Sequence, residues 1–283
     1  PCGDLVRGKQ RKILATIRRN GTDRGKTGRC LAGMLMAFLV LLPGISLNAQ
    51  GDRKVELTAQ EILARVDRVL DYPKGLLRGK MVHILPNGRT NAVNLTGFIS
   101  DADYLFTFST DDRGDQIKVL FNFRGEDIWV YNILSVKLFH KLGVDRYDSV
   151  LSTNFFYIDF SNADLQSNFT GKITGDALIN GLECYRLTLL PIFKGGNYGM
   201  LTLYVHKKDY IPLKIDYHDN DMVIFKTLSI SQTMEKGKKK FPIRYEMLDV
   251  RKGTITILNY HTLEENVSFD KKIFMHQSLG TKP

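Results

Sequence analysis

The sequence predicts a mainly β fold: an antiparallel meander of about eleven or twelve strands, one N-terminal helix, and an apolar, partly helical insert. Three observations predict it. From Arg78 to Leu263 apolar residues recur with period two, in short runs separated by turn residues. One stretch before them, and no stretch between them, carries a long helical stripe, so βαβ alternation is absent. Roughly thirty residues after Arg124–Asn132, from Ile133 to Leu165, leave the period-two pattern in mid-meander. An amphipathic segment is stable only when its apolar face is covered, so the insert is expected against the apolar face of a curved sheet.

The helix begins at Thr58. Thr58 and Glu61 form a T-x-x-E capping box, and Ile62, Val66, Val69 and Leu70 make one stripe. Pro73 and Gly75 end it. Met81 to Leu85 reads as a strand stopped by Pro86-Asn87-Gly88, and Ala92 to Ile99 returns. Tyr104, Phe106 and Phe108 alternate in the next strand. The turn at Asp111–Asp115 leads to Ile117, Val119, Phe121 and Phe123, and Arg124–Asp127 turns into Ile128 to Ile133. In the insert, Val136 to Leu142 is expected to make one or two helical turns. Ser152 to Leu165 holds the cluster Phe155, Phe156, Tyr157, Ile158 and Phe160, and Ser161 or Asn162 is expected to cap a short turn with Asp164 and Leu165. Lys172–Ile179 and Leu182–Leu190 flank Asn180-Gly181, a strong hairpin signal. Met200–His206, Ile211–His218, Met222–Gln232, Phe241–Val250 and Thr254–Leu263 complete the meander. The tail, with Phe269, Ile273 and Phe274, makes a closing turn.

The chain has 283 residues and a net charge of +10, yet the charge is local. Residues 1–30 hold nine Lys or Arg against two acids, whereas from Gln50 onward 31 basic residues face 28 acidic ones. That balance excludes a nucleic-acid reading based on pI. Leu31 to Ala49 carries no charge, follows a basic run and ends in Leu47-Asn48-Ala49. This reads as a signal peptide over 1–49, with an extended basic n-region and cleavage after Ala49. The apolar core is about a dozen residues, short for a membrane span. Residues 50–283 then form one exported domain. Of Cys2, Cys30 and Cys184 only Cys184 lies in that domain, which excludes a disulfide framework there.

No catalytic constellation emerges. The six His residues form no H-x-x-x-H pair, and G-x-S-x-G, Walker and G-x-G-x-x-G motifs are absent. Asp159 and Asp164 read as caps and turn residues. Lys236, Lys238, Lys239 and Lys240 read as a solvated turn or as a contact for anionic lipid head groups. No cofactor and no metal is expected, and the chain is not read as an enzyme. What remains is apolar and aromatic surface, enough for a plain β core or for an acyl-chain cavity under a lid.

The order of motifs resembles a family. An export signal, the helix TAQEILARVDRVL, strands, and then Gly125, Ile128, Trp129, Tyr131 and Asn132 are similar to the outer-membrane lipoprotein-sorting, LolA-like proteins. Asn154-Phe155-x-Tyr157-x-Asp159 extends the match. So do Gly181…Cys184-Tyr185…Leu187…Leu189, Tyr204-Val205-x-Lys207…Pro212-Leu213-Lys214…Tyr217, Lys226-Thr227-Leu228 and Phe241-Pro242…Arg244…Glu246-Met247. The resemblance covers about Thr58 to Leu279 and implies an unclosed antiparallel half-barrel, with helices as a lid over a concave apolar face. It implies a monomeric periplasmic carrier for acyl chains of lipoproteins or lipids, with an inner-membrane transporter as donor and an outer-membrane acceptor. The candidate cavity and lid residues are Phe106, Phe108, Phe121, Trp129, Tyr131, Phe155, Phe156, Ile158, Phe160, Tyr185 and Leu187. The family's lid-pinning Arg does not carry over, because Ser100–Phe108 contains no Arg. The competing reading is an envelope module that grips a transporter or partner protein without lipid cargo.

Overall fold

Thr58 and Glu61 close the helix start reciprocally. Glu61 N donates to Thr58 Oγ1 (3.2 Å) and Thr58 N donates to Glu61 Oε2 (2.7 Å). The computed structural model describes residues 57–161, 164–193, 195–237 and 239–280; the leader over 1–49 lies outside them. Helix α1 (Ala59–Leu70) buries Ala59, Ile62, Leu63 and Val66 on one face. It ends at Asp71, and Gly75 opens the first strand six residues before the expected Met81.

Thirteen strands follow: β1 (Gly75–Ile84), β2 (Thr90–Ile99), β3 (Tyr104–Thr110), β4 (Gly114–Asn122), β5 (Asp127–Asn132), β6 (Lys137–Lys141), β7 (Phe169–Ile179), β8 (Leu182–Pro191), β9 (Met200–His206), β10 (Pro212–His218), β11 (Ile224–Lys236), β12 (Lys239–Asp249) and β13 (Thr254–Glu265). They form one antiparallel sheet in the order β6-β5-β4-β3-β2-β1-β13-β12-β11-β10-β9-β8-β7. The sheet is unclosed, as the half-barrel expectation holds. The chain starts at the sheet's middle, winds out to β6, crosses to the opposite edge at β7, and winds back until β13 pairs with β1 over Gly75↔Glu265 to Ile84↔Ile255. Register shifts in β1/β13, β3/β4, β7/β8, β9/β10, β10/β11 and β11/β12 mark bulges that bend the sheet.

Val136–Leu142 corrects the expectation of a helical turn. Lys137–Lys141 pairs with β5 from Ile128↔Lys141 to Asn132↔Lys137, as an edge strand. Asn132 Oδ1 accepts from Ser135 N (2.9 Å) and Val136 takes a positive φ of 55°, so the segment turns back as a hairpin. Leu134, Leu138 and Leu142 do recur at helical spacing, but the strand neighbour supplies backbone partners that an isolated two-turn helix would lack. Asn180 (φ 53°) and Gly181 (φ 82°) make the expected two-residue hairpin turn.

Strand alternation splits the apolar residues between two clusters. Tyr104, Phe106, Phe108, Val119, Phe121, Ile128 and Val130 face the concave side with α1 and the insert. Leu105 and Leu120 face the convex side, where Phe274 and Leu279 of the C-terminal tail cover them. Trp129 and Tyr131 belong to this second cluster. Trp129 is stacked between His140 (centroids 3.9 Å apart) and His276 (4.3 Å), and its indole N–H donates to Asp127 Oδ2 (2.9 Å). Replacing Phe274 by Ala is expected to cost about 3 kcal/mol in urea unfolding, by loss of transfer energy plus a cavity.

Candidate functional site

The insert leaves β6 at Leu142 and enters β7 at Phe169. Between them lie two 3₁₀ turns (Gly143–Tyr147 and Val150–Ser152) and two single-turn helices, α2 (Tyr157–Phe160) and α3 (Leu165–Asn168). Asp164 caps α3 by accepting from Ser167 N (3.2 Å), where the sequence had offered Ser161 or Asn162. The carboxylate one residue before the turn reaches its free N–H groups, whereas Ser161 Oγ instead donates to Ile158 O (2.7 Å).

Polar anchors hold the insert on the sheet and on α1. Buried Asn154 donates from Nδ2 to Met247 O (2.9 Å) and Thr254 O (2.8 Å), and its Oδ1 accepts from Thr254 Oγ1 (2.8 Å). Its backbone N–H donates to Thr256 Oγ1 (3.0 Å). All the side-chain groups of a buried amide are thereby engaged at the β12–β13 turn, which fixes the insert's register. Asp159 provides the second anchor. Its Oδ2 lies 2.7 Å from Lys226 Nζ of β11 and accepts from Phe156 N (2.8 Å), while its Oδ1 accepts from Tyr198 O–H (2.6 Å). Both charged side chains are sealed from solvent, at 2% exposure for Lys226 and 5% for Asp159. Lys226 Nζ also lies 3.8 Å from the Phe156 ring centroid and 4.7 Å from that of Tyr217. Burial pushes the Lys226 ammonium below its ordinary value, and Asp159 opposes that push. Burial likewise drives the Tyr198 and Tyr217 phenols up, with the Asp159 charge adding to it. At the third anchor Asp67 of α1 accepts from Leu165 N and Gln166 N (both 3.0 Å). Desolvation lifts its carboxyl to about 6, the two N–H groups holding it down only in part.

Under the insert is a cavity of about 340 Å³. Leu77, Ile99, Tyr104, Phe106, Leu201, Ile215, Tyr217, Leu228, Tyr245, Leu258 and Tyr260 of the sheet form its floor. Phe155, Ile158, Phe160 and Leu165 form its roof, and Leu70 of α1 adds to its wall. Gly97 shapes the floor: it pairs with Phe106, and a Cβ there would strike the Phe106 ring, so the ring folds flat over it. Gly125 (φ 87°) similarly admits Ser161 of the insert, whose Cβ occupies the place a side chain would need.

Of the sequence-predicted residues, the structure brings Phe106, Phe155, Ile158 and Phe160 to the cavity wall. Phe108, Phe121 and Leu187 lie in the concave core behind it, with Phe108 and Phe106 edge-on to Phe160 (5.8 and 6.0 Å). Tyr185 packs half-buried at that core's margin, and Phe156 covers Lys226. Trp129 and Tyr131 do not line the cavity, because strand alternation turns them to the convex side. Sequence reasoning missed the cavity tyrosines Tyr72, Tyr104, Tyr147, Tyr198, Tyr217, Tyr245 and Tyr260, and Arg146 on the wall. Their spacing is that of ordinary strand and loop residues; long-range strand pairing brings Tyr72, Tyr245 and Tyr260 together, and the insert carries Arg146 to the same wall. Lys236, Lys239 and Lys240 sit at the β11–β12 hairpin, where Lys236 Nζ donates to Leu263 O (2.6 Å) and Lys240 lies 3.5 Å from Asp209.

A family model described as an uncharacterized-protein-like family matches residues 101–281, more than half of the chain. The chain belongs to that family. No curated protein matches it. Among solved structures, a DUF1329 family protein from Desulfovibrio piger is 20% identical, with 78% of this chain and 97% of that chain covered and a TM-score of 0.69. A putative outer membrane lipoprotein-sorting protein domain from Vibrio parahaemolyticus is 20% identical (79% and 98% covered, TM-score 0.68). A LolA superfamily protein from Nitrosomonas europaea is 17% identical (78% and 98% covered, TM-score 0.65). The fold is therefore the one these solved structures share, the LolA superfamily protein among them.

The insert is held to the sheet by Lys226 and Asp159, while Ser100–Phe108 supplies no Arg. Lys226→Met strands a buried carboxylate and is expected to cost about 3–5 kcal/mol in chemical denaturation. Adding Asp159→Asn should recover a large part of that loss; equal losses in the single and double variants would show that the pair is not coupled. Asp67 gives a pH dependence. Its folded value lies above the unfolded one, so the folded state binds more protons between about pH 4 and 6, and stability falls as pH rises through that window. Thermal melts should show wild type losing ground to Asp67→Asn on going from pH 4 to 6, by at most about 1.4 kcal/mol per pH unit.

Proposed function

We propose that this protein is a non-catalytic carrier that holds an acyl chain of a lipoprotein or lipid between the concave sheet face and the insert. The observation that carries the reading is the largely apolar cavity of about 340 Å³ beneath a segment joined to the sheet by a few discrete polar anchors. Small-molecule pockets of roughly 300–1,000 Å³ with few polar groups are the usual form for such ligands. An acyl chain in water is unfavourable by about 0.8 kcal/mol per methylene, and an apolar groove offsets that without covalent chemistry. Loading and release then need only a lid with two arrangements close in free energy. Asn154 and Lys226–Asp159 define the closed arrangement, and Phe155, Ile158 and Phe160 fill the space that cargo would share.

The setting is read from the leader together with the resemblance to lipoprotein-sorting proteins. Residues 1–49 act as a cleaved export signal, residues 50–283 are the mature carrier, and it works as a monomer in the periplasm. It takes cargo from an inner-membrane transporter and passes it to an outer-membrane acceptor.

The test is native mass spectrometry of the purified protein with extraction of bound lipid, paired with titration by the neutral apolar probe N-phenyl-1-naphthylamine. Acyl-bearing adducts at fixed stoichiometry are expected, with probe affinity falling about tenfold or more in Ile158→Asp, whose carboxylate would be desolvated inside the cavity. A clean apo mass and no probe uptake would sink the carrier reading and favour an envelope module that grips a partner protein without cargo.

A further inference from the structure

Arg146 is the one basic side chain on the cavity wall among the described residues. It stands in the Gly143–Tyr147 turn of the insert, half-buried, and Nη2 donates to Gly125 O at 2.6 Å. That carbonyl is presented by a left-handed turn residue (φ 87°) at the β4–β5 turn. The contact holds the guanidinium in place without neutralising it. Nε is buried and has no hydrogen-bond partner, and no carboxylate of a described residue forms an ion pair with it. A guanidinium has five N–H donors in a fixed fork that fits carboxylate or phosphate oxygens. A buried donor left unmade is costly, so such a group is usually met by a ligand or water. Nearby acids do not meet it. Asp159 is committed to Lys226, Tyr198 and Phe156 N, and Asp164 to the α3 N-terminus.

We propose that Arg146 is a subsite for the anionic head group, carboxylate or phosphate, of an amphiphile whose chain fills the cavity. The proposal rests on the carrier reading and deepens it: the apolar wall takes the chain, and this one unmatched cation selects the charge of the head. The Gly125 carbonyl acts as a positioning group that holds the guanidinium at the cavity wall.

The experiment is displacement of bound N-phenyl-1-naphthylamine from the full chain by three amphiphiles of equal chain length. These are palmitate, palmitoyl lysophosphatidate and neutral monopalmitoylglycerol. Wild type is expected to prefer at least one anionic competitor over the neutral one by about tenfold or more, the scale of a charge-assisted hydrogen bond. Preference for palmitate identifies a carboxylate head, and preference for the lysophosphatidate a phosphate head. Arg146→Gln should abolish the preference while leaving the neutral competitor's affinity within about twofold, and Arg146→Lys should retain part of it. Retained neutral binding in Arg146→Gln also shows that the variant is folded. Equal affinity of all three competitors in wild type overturns the subsite while leaving the carrier reading standing. So does an equal loss for all three in Arg146→Gln. Failure of the probe and of every competitor to bind defeats the carrier reading itself.

Discussion

The structure depends on one topological constraint: β6 and β7, consecutive in the chain, lie at opposite edges of a thirteen-stranded sheet. The connection between them must cross the sheet. An uncovered apolar face on one side of that sheet would be unstable, so the crossing runs over the concave face and becomes the roof of the core. Because β1 and β13 pair in the middle, residues distant in sequence close the sheet at its centre, and both edges hang on that pairing. A roof that only touches the floor at chosen points leaves space beneath it, and the cavity is that space.

The points of contact are polar, which has an energetic reason. A roof packed entirely by apolar side chains could slide, since dispersion and burial are not directional. Asn154 and the Lys226–Asp159 pair instead have one geometry each. A buried ion pair adds little net stability relative to an apolar substitute, because desolvating two charges costs about what their attraction returns. Its effect lies in specifying the register, and in making the closed arrangement discrete. The aromatic rings of Phe156, Tyr198 and Tyr217 around Lys226 lower the cost of its burial without adding a second anion. Arg146 is the contrasting case, a cation on the same wall held by a carbonyl and left without a counter-charge among the described residues.

The two faces of the sheet carry different tasks on the same strands. On β5, Ile128 and Val130 enter the concave core while Trp129 and Tyr131 pack under the C-terminal tail. The convex aromatic residues therefore serve to seal the tail, with Trp129 clamped between His140 and His276. Aromatic content alone did not distinguish the two faces; parity along the strand, once registered against Phe106 and Phe121, did.

The sequence by itself determined the helix start at Thr58, twelve of the thirteen strands, the Asn180-Gly181 turn and the place of the insert against the apolar face. Each of these is set by local chemistry: capping geometry, period-two burial, φ-permissive turn residues. The clustered insert side chains Phe155, Ile158 and Phe160, which line the cavity, were legible as buried residues for the same reason, since a dense apolar run in a non-strand segment has to be covered. Only the tertiary structure decided that Val136–Leu142 is an edge strand, because its backbone partner is β5 and not its own next turn. Only the tertiary structure joined Asp159 to Lys226, 67 residues apart, and set Arg146 against Gly125 beside the cavity. Pairings of that separation are fixed by strand order and by the path of the crossing segment, and no local spacing encodes either.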